Sequence, residues 1–158
     1  LFRAELEGSL VPEKLKKLRG AFEHDILLPA IAPHAPQLLE ELGARGLTTV
    51  VVSATRSSLV DPVAGYLRVN HTITSCFGQD KVHQVEAWLK GFGVSLSELE
   101  ESWFYSDSHN DLPLLEAVMH PIAVDPDAYL GQVARDRKWK MISLRSNQKF
   151  EIGIPSNL

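Results

Sequence analysis

Apolar runs and helical repeats alternate along this chain, an order that predicts a parallel sheet with helices on its faces. The clearest run, LTTVVV at residues 47–52, is β-branched without polar alternation, which is typical of a strand covered on both faces. Further strands are predicted at 72–75, 103–106, 122–124 and 141–144. Apolar spacings of three or four residues predict helices over 12–27, 37–44, 57–67, 80–89, 112–119 and 127–137. The expected fold class is α/β, with a doubly wound, mostly parallel sheet.

Composition narrows the class of protein. A chain of 158 residues with 44% hydrophobic and 23% charged residues suits one packed domain. A net charge of −4 and a single basic cluster at residues 14–19 argue against a nucleic-acid partner. Cys76 is the only cysteine, which excludes an internal disulfide and fits a reducing cytoplasm. The charged start and the lack of about 18 consecutive apolar residues predict neither an export signal nor a membrane span.

The segment WFYSDSHNDLPLL, residues 103–115, places two carboxylates where a strand stops and a helix begins. Asp107 and Asp111 would repel each other in a partly desolvated loop unless a cation or hydrogen-bond donors lie between them. Mg²⁺ prefers carboxylate oxygens and commonly takes one or two from a protein. We therefore predict a magnesium site, with Ser106 and Asn110 orienting its ligands or waters. The alternative is that Asp111 only caps the following helix, which leaves Asp107 unexplained.

Two other segments offer groups that bind phosphate, because ligands of open parallel sheets bind beyond the carboxyl ends of the strands. Ser53, Ala54 and Thr55 follow the first strand with two hydroxyls and backbone N–H groups. Lys81 opens a helix for which Asp80 is the expected N-cap, and a lysine there is unfavourable with the helix dipole unless an anion is nearby. The alternatives are that Ser53 or Thr55 caps the next helix and that Lys81 is a solvated surface residue.

Together these segments resemble the haloacid dehalogenase-like hydrolase superfamily, in the branch that includes phosphoserine phosphatase-like proteins. The resemblance runs from about residue 31 to 144 and includes VVVSAT, DKV, YSDSHNDLPLL and HPIAVDPD. It implies a Rossmann-like core and hydrolysis of small phosphomonoesters through an aspartyl-phosphate intermediate. Residue by residue, it implies that Ser53 and Lys81 act on the phosphoryl group and that Asp107 and Asp111 hold Mg²⁺. Ala54, Thr55 and Asn110 would join Ser53 and Lys81 in binding substrate.

The chain departs from this family in one important respect. The family attacks phosphorus with the first aspartate of an Asp-x-Asp-x-Thr segment, and no such segment occurs in these residues. The nearest imitation, ELEGSL at residues 5–10, has too little chain before it for a central strand, and its longer glutamates would displace the attacking oxygen. Residues 5–28 more closely resemble a helical cap. The usual hairpin near Ser75 and Cys76 is also missing, so we expect the natural chain to be longer.

The resulting prediction is a partial cap at residues 1–30, a phosphatase-like core at 31–146 and a loosely attached tail at 147–158. We expect a cytoplasmic, Mg²⁺-dependent phosphomonoesterase acting on a small phosphorylated metabolite. The alternative is an inactive relic that binds phosphate or Mg²⁺ without turnover.

Three other features carry smaller predictions. Gly91-Phe92-Gly93 follows a helix rather than a strand, so dinucleotide binding is excluded. The six histidines show no pair at metal-ligand helical spacing and are expected to be scattered surface or packing residues. His109, between Asp107 and Asp111, is predicted either to touch substrate or only to fill its loop. Cys76 lacks an activating partner and is expected to be structural.

Overall fold

A computed structural model describes residues 12–146 and Ile154, and backbone contacts divide the chain into two compact units, Leu1–Ala32 and Pro33–Leu158. In the first unit, helix α1 (Pro12–Phe22) continues into a π-helical turn (Glu23–Leu27) and a short α2 (Leu28–Ala30). Pro29 is tolerated in the first turn of α2, where its missing N–H needs no partner. The predicted helix over 12–27 is confirmed, whereas the ELEGSL segment lies outside the described residues.

The second unit alternates helices and strands, as predicted. Its elements are α3 (Ala35–Ala44), β1 (Val50–Ser53), α4 (Ser57–Tyr66), β2 (His71–Thr74), α5 (Gln79–Lys90), β3 (Trp103–Ser106), α6 (Leu112–Ala117), β4 (His120–Val124), α7 (Ala128–Asp136) and β5 (Lys140–Ile142). Short 3-10 turns lie at Leu96–Glu98 and His109–Asp111. Within residues 12–146, no helix combines the length and the apolar character needed to cross a bilayer.

The strands form two parallel groups. β1 pairs with β2, and β3, β4 and β5 pair in that order. Because all these pairs are parallel, the carboxyl ends of the strands in each group lie at one edge. Among the described strands, no ladder joins β1 to β3. The two strands nevertheless share a hydrophobic core, since Val52 and Phe104 both pack against one cluster of buried side chains: Val85, Leu89, Leu96 and Leu114.

A second hydrophobic core lies beneath β4. Leu115, Ala123, Leu130 and Ala134 are all 0% exposed and join α6, β4 and α7. The alternation of apolar strands and one-sided helices therefore produces the predicted α/β architecture.

Some predicted boundaries shift for local reasons. β1 begins at Val50 rather than at residue 47, because the backbone N–H of Thr49 donates to the Asn70 side chain instead of to a strand. The N-cap of α5 is Gly78 and not Asp80, so that prediction is wrong. Gly78 adopts a φ of +53°, which glycine tolerates best, and the helix therefore starts earlier in the chain. Of the predicted tail, only Ile154 is described, and it is buried.

Candidate active site

Lys81 and Asp111 form a buried ion pair at the carboxyl end of β3. The Lys81 Nζ atom lies 2.6 Å from Asp111 Oδ1, and the Ser106 hydroxyl donates to Asp111 Oδ2 over 2.8 Å. Lys81 is 6% exposed and Asp111 is 8% exposed. A buried charge is tolerated only when it is paired and hydrogen-bonded, as both are here. The alternative of a solvated surface Lys81 is therefore wrong.

Asp111 occupies the N-cap position of α6, but its side chain makes no capping hydrogen bond. The carboxylate instead turns to Lys81 and Ser106. The Asp111 side chain therefore does not act as a simple helix cap. Asp111 thus holds the Lys81 ammonium in a fixed position.

Asp107 differs from Asp111 in its surroundings. Its side chain is exposed and accepts no hydrogen bond from any described residue. Its backbone carbonyl accepts a 2.8 Å hydrogen bond from the Asp127 N–H, which fixes the loop at the end of β3. Ser106 Oγ accepts from the Ser108 N–H at 3.1 Å and stabilises the same turn. The Asp107 carboxylate is therefore held on an ordered loop with both oxygens open to a ligand.

The chemistry of these donors fits Mg²⁺ in kind. Carboxylate oxygens are hard ligands, and Mg²⁺ keeps several waters beside one or two of them. Within the described residues, no group of three His, Cys, Asp or Glu side chains converges as a metal site. Asp107 and Asp111 together would supply a partial site, in which Asp111 shares its carboxylate with Lys81.

The loop after β1 is ordered by its own hydrogen bonds. Ser53 Oγ accepts from the Thr55 N–H at 3.0 Å, and the Ser53 carbonyl accepts from the Cys76 N–H at 3.2 Å. The N-cap of α4 is Arg56, without a side-chain hydrogen bond, so neither Ser53 nor Thr55 caps that helix. Within the described residues, Ser53 makes no hydrogen bond to Lys81. The loop of Ser53 is nevertheless tied through Cys76 to the segment that leads into α5.

Cys76 fills a structural position beside that loop. It is 1% exposed, and its Sγ atom approaches the Ser53 carbonyl at 3.5 Å. Burial raises the pKa of the Cys76 thiol, which keeps it protonated and unreactive. Asn110 lies close to the same segment, because a Cβ atom added at Gly78 would be 4.0 Å from the Asn110 carbonyl oxygen.

Asp127 is a site residue that the sequence analysis did not single out. Its Oδ2 atom accepts from both the backbone N–H and the ring Nδ1 of His109, at 2.8 and 2.9 Å, and its Oδ1 atom accepts from the Leu130 N–H. The Leu130 N–H, followed by the two His109 donors, lowers the pKa of Asp127 to about 2. The available signal was its position after β4, at the same sheet edge as Asp107.

Comparisons with known proteins identify the family of this chain. A sequence profile described as haloacid dehalogenase-like hydrolase matches residues 2–116. The chain belongs to this family. The predicted family is therefore confirmed, and the parallel α/β core is the one expected for it.

Three similar proteins refine the picture. A crystal structure from Bordetella pertussis Tohama I, described as a protein with unknown function, has a TM-score of 0.78 and 34% identity over 85% of this chain and 68% of its own. A histidinol-phosphatase from Neisseria meningitidis is 28% identical over 84% of this chain and 68% of its own length. A probable phosphatase from Mycobacterium tuberculosis is 30% identical over 84% of this chain and 51% of its own. The chain thus spans about half to two thirds of these relatives.

Proposed function

We propose that the protein is a Mg²⁺-dependent phosphomonoesterase acting on a small phosphorylated metabolite. The observation that carries this proposal is the buried Lys81–Asp111–Ser106 group next to the exposed carboxylate of Asp107. A fixed ammonium beside open carboxylate oxygens suits a phosphate dianion bridged to a divalent ion. The names of the relatives support the same reaction class, since two of them are called phosphatases.

Each residue has a definable task in this proposal. Lys81 would neutralise a phosphate oxygen, and at about 4 Å a unit charge contributes about 4 kcal/mol of gross attraction at an effective dielectric of 20. Asp111 would keep the ammonium oriented. The hydroxyl of Ser53, with the backbone N–H groups of the loop of Ala54 and Thr55, would donate hydrogen bonds to the phosphoryl oxygens. Bound Mg²⁺ would supply further charge neutralisation at those oxygens, held by Asp107 and Asp111.

The attacking aspartate would lie outside these 158 residues, on a strand of the longer natural polypeptide. Support comes from the arrangement of β1 and β3, which share a hydrophobic cluster through Val52 and Phe104 although no described ladder connects them. A parallel strand placed between them would bring its carboxyl end beside Ser53 and Asp107. Attack from that position would form a bond between the carboxylate and phosphorus, break the ester P–O bond and release the alcohol, and water would then hydrolyse the aspartyl phosphate to free phosphate.

The decisive experiment compares Asp107→Asn with the unaltered protein, in the complete natural polypeptide. We expect Mg²⁺-dependent phosphate release from p-nitrophenyl phosphate to fall on the order of 100-fold or more, because a charge-stabilising group at the phosphoryl site is lost. Magnesium should also raise the Tm of the unaltered protein and not that of the variant, because binding to the folded state stabilises it.

Asp136→Asn is the matched control, because Asp136 is an exposed carboxylate on α7, paired with Gln132, and lies away from the proposed site. It should keep normal turnover. Near-normal turnover in Asp107→Asn would reject the metal assignment. A complete polypeptide that binds Mg²⁺ and phosphate without turnover would instead identify the inactive relic.

A further inference from the structure

His109 and Tyr129 form a pair of rings at the rim of the candidate site. Their centroids lie 5.7 Å apart with an interplanar angle of 71°, an edge-to-face contact. Tyr129 is 62% exposed, although it lies in the first turn of α7. A large aromatic ring that is exposed to solvent beside a polar site is able to contact a bound ligand.

The Asp127 carboxylate fixes the orientation of the His109 ring. A carboxylate accepts hydrogen bonds and does not donate them, so the 2.9 Å contact to Asp127 Oδ2 requires a proton on Nδ1. The Nε2 atom therefore faces away from Asp127, and it makes no hydrogen bond with any described residue. Asp127 thus holds a ring nitrogen available for an incoming molecule.

Hydrogen bonds connect the ring pair to the loop that carries the proposed phosphate site. His109 lies between Asp107 and Asp111, and the Asp127 N–H donates to the Asp107 carbonyl. Because Lys81 and Asp111 are buried, a phosphate bound beside them would direct its alcohol portion outward past the exposed rim. Along that path the alcohol would meet His109, which Asp127 orients, and Tyr129, whose ring contacts His109.

We propose that His109 and Tyr129 recognise the alcohol portion of the phosphomonoester and select alcohols that carry a planar aromatic or heteroaromatic ring. The inference rests on the proposed phosphomonoesterase function. A planar ring can stack on Tyr129, and a polar atom of the same alcohol can meet His109 Nε2. His109 and Tyr129 would be specificity-determining residues, because they contact the part of the substrate that leaves.

The test compares 2-phenylethyl phosphate with n-butyl phosphate in the complete natural polypeptide with Mg²⁺. Both are primary alkyl esters, so the chemical step is similar and the ring is the main difference. We expect Tyr129→Ala to lower the ratio of kcat/KM for the ring-bearing ester over the butyl ester about 3- to 10-fold, as expected for loss of one aromatic contact. His109→Ala should lower the same ratio by a smaller factor, because Tyr129 then loses the edge-to-face contact that orients its ring, and Tyr129→Phe should retain it.

Tyr66→Ala is the matched control, because Tyr66 is also an exposed tyrosine, at 57%, but lies at the end of α4. Its ratio should equal that of the unaltered protein. An unchanged ratio in Tyr129→Ala would overturn the inference, whether both esters keep their kcat/KM or lose it by the same factor. If the unaltered protein hydrolyses neither ester, the proposed function itself fails.

Discussion

The two parallel groups of strands contribute to the site in different ways. The β3–β4–β5 group has a fully buried core, with Leu115 and Ala123 at 0% exposure, and its end carries the ion pair and Asp127. The strands of the β1–β2 group are half-buried or exposed, and backbone hydrogen bonds from Ser75 and Cys76, just after β2, hold the loop that carries Ser53. The comparison shows that Asp111 and Asp127 follow strands that lie next to the more deeply buried core, while the hydroxyl loop is held by backbone hydrogen bonds to the segment after β2.

The largest expected effect comes from breaking the buried ion pair. Lys81→Met or Asp111→Leu alone should lower the free energy of unfolding by about 3–5 kcal/mol, because each leaves an uncompensated buried charge. The double variant should recover most of this loss, because both charges are removed together. Urea denaturation of the four proteins measures the coupling.

Measuring phosphate release in the same four proteins distinguishes a loss of activity from a loss of stability. We expect phosphate release to remain very low in the double variant, although its fold is restored, because the ammonium is absent. If the double variant loses as much free energy of unfolding as the two single variants lose together, Lys81 and Asp111 are not coupled. Restored turnover would show that the pair lies outside the chemistry.

The second prediction compares the two hydrophobic cores directly. Leu115→Ala should lower the free energy of unfolding by about 3–4 kcal/mol, since a fully buried leucine leaves a cavity. Val52→Ala, at a half-buried position in β1, should lower it by about 1 kcal/mol. Chemical denaturation measures both values. Equal losses would show that the two strand groups are packed alike, contrary to the comparison.

The smallest effect concerns the acid dependence of Asp127. Its pKa is depressed to about 2 from an ordinary value of 3.8, so its stabilisation is present above about pH 4 and is lost as the pH falls towards 2. Asp127→Asn should therefore lower Tm at pH 6 and have less effect at pH 2.5. Thermal melts across this range test it, with Asp136→Asn as the control for losing a carboxylate on the same helix. A difference in Tm that is constant with pH would refute it.

Much of the fold followed from local pattern. The run at Trp103–Ser106 is the strand that its composition predicted, and the helix over 57–67 differs from α4 by only one residue. The N-cap of α5 was missed because Gly78 accepts a backbone conformation that the side-chain rules for capping do not include. Short-range rules work where one apolar face decides the element, and they fail where backbone conformation decides it.

The candidate site was predictable in its members but not in their partners. The sequence placed Asp107, Asp111 and Lys81 near strand ends or helix starts, and so at one edge of a parallel sheet. It could not show that Asp111 binds Lys81 rather than capping α6, because the two residues are thirty positions apart and meet only through packing. Asp127 was missed for the same reason, since its importance comes from His109.

By itself, the amino-acid sequence determined the alternation of strands and helices and the kinds of side chain at the strand ends, since both depend on neighbours along the chain. Tertiary structure alone decided which charges are buried together, which carboxylate stays open and which rings form the rim. Those outcomes depend on distances between segments far apart in the chain, and packing of the α/β core sets these distances.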